Sequence, residues 1–187
     1  MDTSIGCNYF ENEVDIPDEE LPEAVVKLLT QKNLKIATAE SCTGGLISKK
    51  ITDIPGASAI FDCGVCSYSN DIKMKLLGVS EKSLKNFGAV SAETACQMAE
   101  GIAKFANADI GVSSTGVAGP QRSEKKHVGL VYIALYYNKQ TICKKLNLRN
   151  KDIPDEKQRN YIRNRTANEV FKFILRAFGY SKTEEIS

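Results

Sequence analysis

Apolar positions along the chain fall into two rhythms. After the acids Asp18, Glu19 and Glu20, the residues Leu21, Val25, Leu28 and Leu29 recur at helical spacing. That places one apolar stripe on a helix with acids in its first turn, which ends near Lys32-Asn33. Leu34–Ala39 then reads as a short strand, and Cys42 to about Thr52 as a helix stopped by Asp53-Ile-Pro-Gly. Ala59–Ser69 is a second strand. Asn70 is placed to cap a short helix over Asp71–Leu77, which Gly78 ends, and Ser80–Asn86 adds a helical turn or two. Ser91-Ala-Glu-Thr opens a longer helix to Phe105.

The second half changes rhythm. Asp109–Ser114 reads as a strand, followed by a polar loop to His127. Val128–Tyr137 and Gln140–Leu146 form two strands around an Asn138-Lys139 turn. Asp152-Ile-Pro-Asp-Glu opens a final helix to about Phe178, as the same five residues at 15–19 open the first. Alternating helices and strands followed by a hairpin predict an α/β fold. The expected form is a three-layer α/β/α sandwich around a mixed, mostly parallel sheet, with a C-terminal hairpin and long helix.

A chain of 187 residues fits one domain, expected over 17–187. Residues 1–16 read as an acidic, flexible leader. Seven acids and no Lys or Arg fall within residues 1–20, which leaves 25 bases against 16 acids in the rest. The leader is either solvated or a shield for a basic, anion-binding surface. The lysines are spread along the chain, so direct contact with nucleic acid is not expected. No apolar run approaches the ~18 residues of a membrane span, and no basic-then-apolar start marks a secretory signal. The protein reads as cytoplasmic, with no membrane partner.

In that compartment the six cysteines read as thiols. Cys63-Gly-Val-Cys66 has the C-x-x-C spacing but lies on a predicted strand, where the two side chains point to opposite faces. With His127 the single histidine, no ligand set has zinc spacing. No metal or cofactor is expected.

Three strand exits carry small polar residues: Thr38-Ala-Glu-Ser-Cys-Thr-Gly-Gly45, Tyr68-Ser-Asn70, and Ser113-Ser-Thr-Gly-Val-Ala-Gly-Pro120. α/β folds bind ligands at such a sheet edge. Ser41 sits where helix-start amides would serve an oxyanion, yet from this stretch alone a helix cap explains it more simply. A nucleophilic serine needs a base. His127 lies in a polar loop beside Lys125 and Lys126 and reads as solvated. Lys73 leaves the second strand on a helix turn, at the same sheet edge as Ser41 if the strands are neighbours. By itself it reads as a surface lysine, and it becomes a base only where burial or a cation lowers its pKa.

Four ordered motifs, 38–45, Tyr-Ser-Asn-Asp-Ile-Lys (68–73) with Leu-Leu-Gly-Val (76–79), Gly-Ala-Val-Ser (88–91), and Ser-Thr-Gly-Val-Ala-Gly-Pro (114–120), resemble the CinA C-terminal domain family of nicotinamide-nucleotide amidases. The likeness runs from about Leu21 to Phe178, and the length resembles the stand-alone form. It implies hydrolysis of nicotinamide mononucleotide to nicotinate mononucleotide and ammonia, by a metal-free Ser/Lys mechanism in pyridine-nucleotide salvage. By that resemblance Ser41 is the nucleophile, Lys73 its base, and Tyr68 an aid to their orientation. Cys42, Thr43, Gly44, Gly45, Thr115, Gly116 and Arg163 are implied as substrate-binding residues, and a homo-oligomer is implied as the assembly.

The chain departs from the family pattern after Pro120. Gln-Arg-Ser-Glu-Lys-Lys-His (121–127) replaces a glycine-rich segment, with His127 where proline is usual, Leu130 for threonine, and Cys63 for an arginine. The expected dyad is untouched. The departures keep a second reading open, a nucleotide-binding or protein-interaction module without hydrolysis.

Overall fold

A computed structural model describes residues 14–180. Its elements are α1 (Leu21–Gln31), β1 (Ile36–Glu40), α2 (Leu46–Thr52), β2 (Phe61–Cys66), α3 (Asn70–Leu77), α4 (Glu81–Phe87), α5 (Ala92–Ala106), β3 (Ile110–Gly116), β4 (Leu130–Tyr137), β5 (Gln140–Asn147) and α6 (Asp155–Ala177). The sheet order is β2-β1-β3-β4-β5. β1 pairs in parallel with both β2 and β3, and β4 and β5 complete the sheet as an antiparallel hairpin.

Alternation along β1 sets the layers. Ile36 joins the core under α1, α2 and α6, together with Leu21, Leu29, Ile110, Ile133 and Phe171. Ala37 and Ala39 turn to the other face and meet Leu77, Met98 and Ile102 of α3 and α5. The inner parallel strands β1 and β3 are buried along their length, as a sheet covered on both sides requires, while the edge strand β2 alternates half-buried and exposed positions. α5 lies so close to β3 that a Cβ on Gly111 would stand 2.0 Å from the Ala99 carbonyl oxygen. This is the expected α/β/α sandwich.

Local signals were read with small displacements. Ser80 and Ser91 cap α4 and α5 through their side chains, and Gly78 ends α3 with φ 65°. The α3 cap is Ser69, whose hydroxyl accepts from Ile72 N, rather than Asn70. Residues 1–13 of the predicted leader lie outside the described residues. Of its last three, Val14 packs against the core and Ile16 is buried in it. Asp18 meets α6, accepting from Arg165 at 2.9 Å, Asn168 at 2.9 Å and Lys172 at 2.8 Å. Among the described residues no helix is long and apolar enough to cross a membrane.

Candidate active site

Parallel pairing brings the C-terminal ends of β1, β2 and β3 to one sheet edge, with Glu40 level with Cys66 and Ser114. Ser41 N donates to Ser114 O at 3.0 Å, which extends the pairing by one residue and pins the serine at that edge. The chain then turns sharply. Gly44 and Gly45 have φ of 61° and 90°, a region that costs a side-chain-bearing residue free energy. Residues 42–45 are therefore a turn, and α2 begins at Leu46, four positions later than the sequence reading placed it.

The start of α2 is also not open to a ligand. The Glu40 carboxylate, fully buried, accepts from Ile47 N at 3.0 Å, Ser48 N at 2.8 Å and Ser48 Oγ at 2.6 Å. One carboxylate thus satisfies two of the helix's orphan amides. Ahead of the helix, none of the N–H groups of Cys42 to Gly45 donates to an oxygen of the described residues.

Lys73 comes from the first turn of α3 and is 1% exposed, which overturns its reading as a surface lysine. Its Nζ stands 2.6 Å from Ser67 O, 3.2 Å from Ser41 Oγ and 3.4 Å from Tyr68 O. Among the described residues no carboxylate shares a hydrogen bond with it. Burial lowers its pKa below the ordinary lysine value, against the opposing pull of Cys42 and Glu124.

The neighbours of Ser41 are engaged elsewhere. Cys42 is buried, and loss of water pushes its thiol up to about 12. Thr43 is fully buried, its hydroxyl 2.7 Å from Ser114 Oγ. Its carbonyl accepts a fork from Arg163 of α6, Nε at 3.0 Å and Nη2 at 2.7 Å. A Cβ on Gly44 would stand 3.3 Å from Arg163 Nη2. Arg163 thus holds the Ser41 turn from behind.

A cavity of about 250 Å³ opens over Ser41 and Lys73, bordered also by Cys42, Tyr68, Thr115 and Gly116. Thr43, Gly44, Gly45 and Arg163, expected to bind substrate, do not border it. Thr115 faces it, but its hydroxyl donates to Ala89 O at 2.7 Å. Tyr68 is 67% exposed at the mouth. Its hydroxyl accepts from Arg159 Nη2 at 3.3 Å, while Arg159 Nη1 donates to Gly119 O at 2.6 Å. Arg159 and Glu124 border the cavity as well.

A family model matches residues 18–178, described as the CinA C-terminal domain. The chain belongs to the CinA C-terminal domain family. A CinA-like protein of Kosmotoga olearia is 50% identical over 163 residues, 87% of this chain but 38% of that protein. The chain spans just over a third of the curated relatives it matches, 38%, 37% and 34% for three of them. The crystal structure of the competence/damage inducible protein CihA from Agrobacterium tumefaciens matches with a TM-score of 0.79 at 37% identity, covering 90% of this chain and 99% of that one. A competence or damage-inducible protein from Enterobacter asburiae matches with a TM-score of 0.81 at 27% identity, covering 88% and 99%.

In this CinA domain the divergent loop after Pro120 is well built. Glu124 and Lys125 take φ of 50° and 60° between Ser123 and Lys126, whose N–H donates to Ser123 O at 2.7 Å. That is a tight mirror-image turn of the kind that closes hairpins. Its side chains grip residues 87–90: Lys126 Nζ donates to Phe87 O and Val90 O, and Glu124 accepts from Ala89 N and Val90 N. Burial raises the Glu124 carboxyl, but those amides and Lys126 outweigh it and hold its pKa below the usual range. His127 stands away from Ser41, outside the cavity lining.

Sequence reasoning missed Glu40, Glu124 and Arg159. Glu40 carried a visible signal, an acid beside the candidate nucleophile and shortly before a helix. Arg159 carried none, because its partner Tyr68 lies 91 residues away.

Proposed function

We propose that this CinA domain is an amidohydrolase that deamidates nicotinamide mononucleotide by a Ser41/Lys73 mechanism. The observation that carries the reading is Lys73, a buried lysine hydrogen-bonded to no carboxylate among the described residues and with one hydroxyl in reach. As a neutral amine it has two N–H groups and one lone pair. Ser67 O and Tyr68 O take the N–H groups, which leaves the lone pair to accept from Ser41 Oγ–H.

In the acylation step Ser41 Oγ bonds to the carboxamide carbon and its proton passes to Lys73 Nζ. The tetrahedral oxyanion lies toward the undonated amides of the 42–45 turn. The C–N bond then breaks as Lys73 returns the proton to nitrogen, and ammonia leaves. Water attacks the ester and gives a proton to Lys73. Lys73 passes that proton to Ser41 Oγ as the acid departs. Arg159 at the mouth suits a phosphate on the substrate, as a guanidinium fork does. Arg163 acts through the backbone and is a positioning residue.

The test is ammonia release from nicotinamide mononucleotide by the purified protein, with Ser41→Ala and Lys73→Ala beside it. Release that needs both residues supports the reading. Nucleotide binding without ammonia from folded protein would replace the enzyme with a binding module.

A further inference from the structure

Segment 119–123 is a wall one residue thick between two cavities. Gly119, Gln121 and Ser123 border the cavity over Ser41. Pro120 and Arg122 border a second one of about 140 Å³, with His127, Arg149, Asp155 and Gln158. Helix α6 divides in the same way, since Arg159 faces the first cavity and Gln158 the second.

The second cavity has a fixed floor and a cationic rim. Gln158 is buried, and its side-chain amide donates to Asn150 O and to Ile153 O while its oxygen accepts from Asn150 N. Gly129 fixes Arg149: a Cβ there would lie 2.4 Å from Arg149 N, and Leu148 N donates to Gly129 O at 2.8 Å. On the rim, the Arg122 guanidinium has no ion pair or hydrogen bond among the described residues. Arg149 Nη2 meets Asp155 Oδ1 at 3.2 Å, with side chains 57% and 77% exposed. A pair so exposed adds little and yields to a better anion. His127 Nδ1 lies 3.2 Å from Val128 O, which leaves its other ring nitrogen unused.

We propose that this cavity is a second anion site, which takes a phosphate group, inorganic or carried on a nucleotide, between Arg122 and Arg149. Two guanidinium forks beside an imidazole match the oxygens of a phosphate. Occupancy reaches the catalytic cavity through the wall, because Gly119 O at its start accepts from Arg159. The binding does not rest on the amidase reading, which stands or falls on ammonia release.

The test is titration of the 15N-labelled full chain with inorganic phosphate at constant ionic strength, followed by amide chemical shifts. Shifts centred on Arg122, Gly129 and Arg149 are expected. Arg122→Gln or Arg149→Gln should weaken the apparent affinity about tenfold, the scale of one charged hydrogen bond. Arg159→Ala should leave these shifts in place. A nucleoside monophosphate that moves the same amides more tightly than phosphate identifies a nucleotide as the carrier; otherwise the ligand is phosphate itself. Shifts confined to the Ser41 side and abolished by Arg159→Ala overturn the proposal, as does the absence of any shift up to the solubility limit.

Discussion

Lys73 Nζ and Ser41 Oγ stand 3.2 Å apart across 32 residues of chain. Two features create that contact. Parallel pairing of β1 with β2 brings their ends level, and the Ser69 cap starts α3 so that its first turn points Lys73 into the protein. Burial then depresses the lysine, so between its folded-state value and the 10.5 of an ordinary lysine the unfolded chain binds more protons. Stability therefore rises with pH through that window. Below it, Lys73 is a full penalty on the fold. Lys73→Met should lose turnover yet melt at a higher temperature than the parent at neutral pH, with the gain fading toward pH 10.5. Thermal melts at several pH values check this, and an equal or lower melting temperature at pH 7 contradicts it.

The same depression shapes activity. In the proposed mechanism the free amine is the base, so kcat/KM should climb with pH to a plateau, with its midpoint below the ordinary 10.5. A pH–rate profile for ammonia release measures it. A flat profile would remove Lys73 as the base.

Glu40 holds the far side of the Ser41 turn through three donors. Glu40→Gln keeps the shape but sets an amide N–H₂ against one of them. The expected cost is about 2–3 kcal/mol of stability, the scale of a buried donor left without its charged acceptor. Turnover should fall with KM little changed, because the serine rather than the ligand is displaced. Denaturant titration and steady-state kinetics separate the two effects.

Arg159 borders the cavity but touches neither Ser41 nor Lys73. Arg159→Ala should raise KM for nicotinamide mononucleotide about tenfold or more, the scale of a lost charged hydrogen bond, and change kcat far less. Nicotinamide riboside, which lacks the phosphate, should respond little. Equal losses on both substrates would place the arginine outside phosphate recognition.

Asp18 ties the entry to α1 onto α6. The Lys172 ammonium bonded to it, helped by Asn168 and Arg165, holds its carboxyl below the ordinary value against the opposing effect of partial burial. Its contribution is therefore complete above the ordinary value of 3.8 and is lost as pH falls through the lower folded-state value. Asp18→Asn should cost about 1 kcal/mol at pH 7, as a partly exposed ion cluster does. The two proteins should converge in acid, which melts at pH 7 and near pH 3 would show.

Much of this was legible in the chain. Strand exits with small polar residues named the sheet edge, and Ser80, Ser91 and Gly78 marked helix ends that the structure keeps. The start of α2 was misread because Ser-Cys-Thr looks like a cap until the left-handed glycines after it are placed. The surroundings of Lys73 were invisible, since its burial depends on Ser67 and Tyr68 folding over it at the end of β2. Arg163 was matched by its motif, but only packing reveals that it faces a backbone carbonyl and not the cavity. Local signals fix local conformation; the side chains that define this site meet through contacts between distant segments.

Beside Ser41, Cys42 is buried at the cavity wall, and burial pushes its thiol up to about 12, so it stays protonated across the physiological range. Alkylating agents and peroxides act on thiolates. The site should therefore ride out oxidative stress and iodoacetamide with its hydroxyl chemistry intact, and covalent inhibitors of it should be sought among serine-directed electrophiles rather than thiol traps.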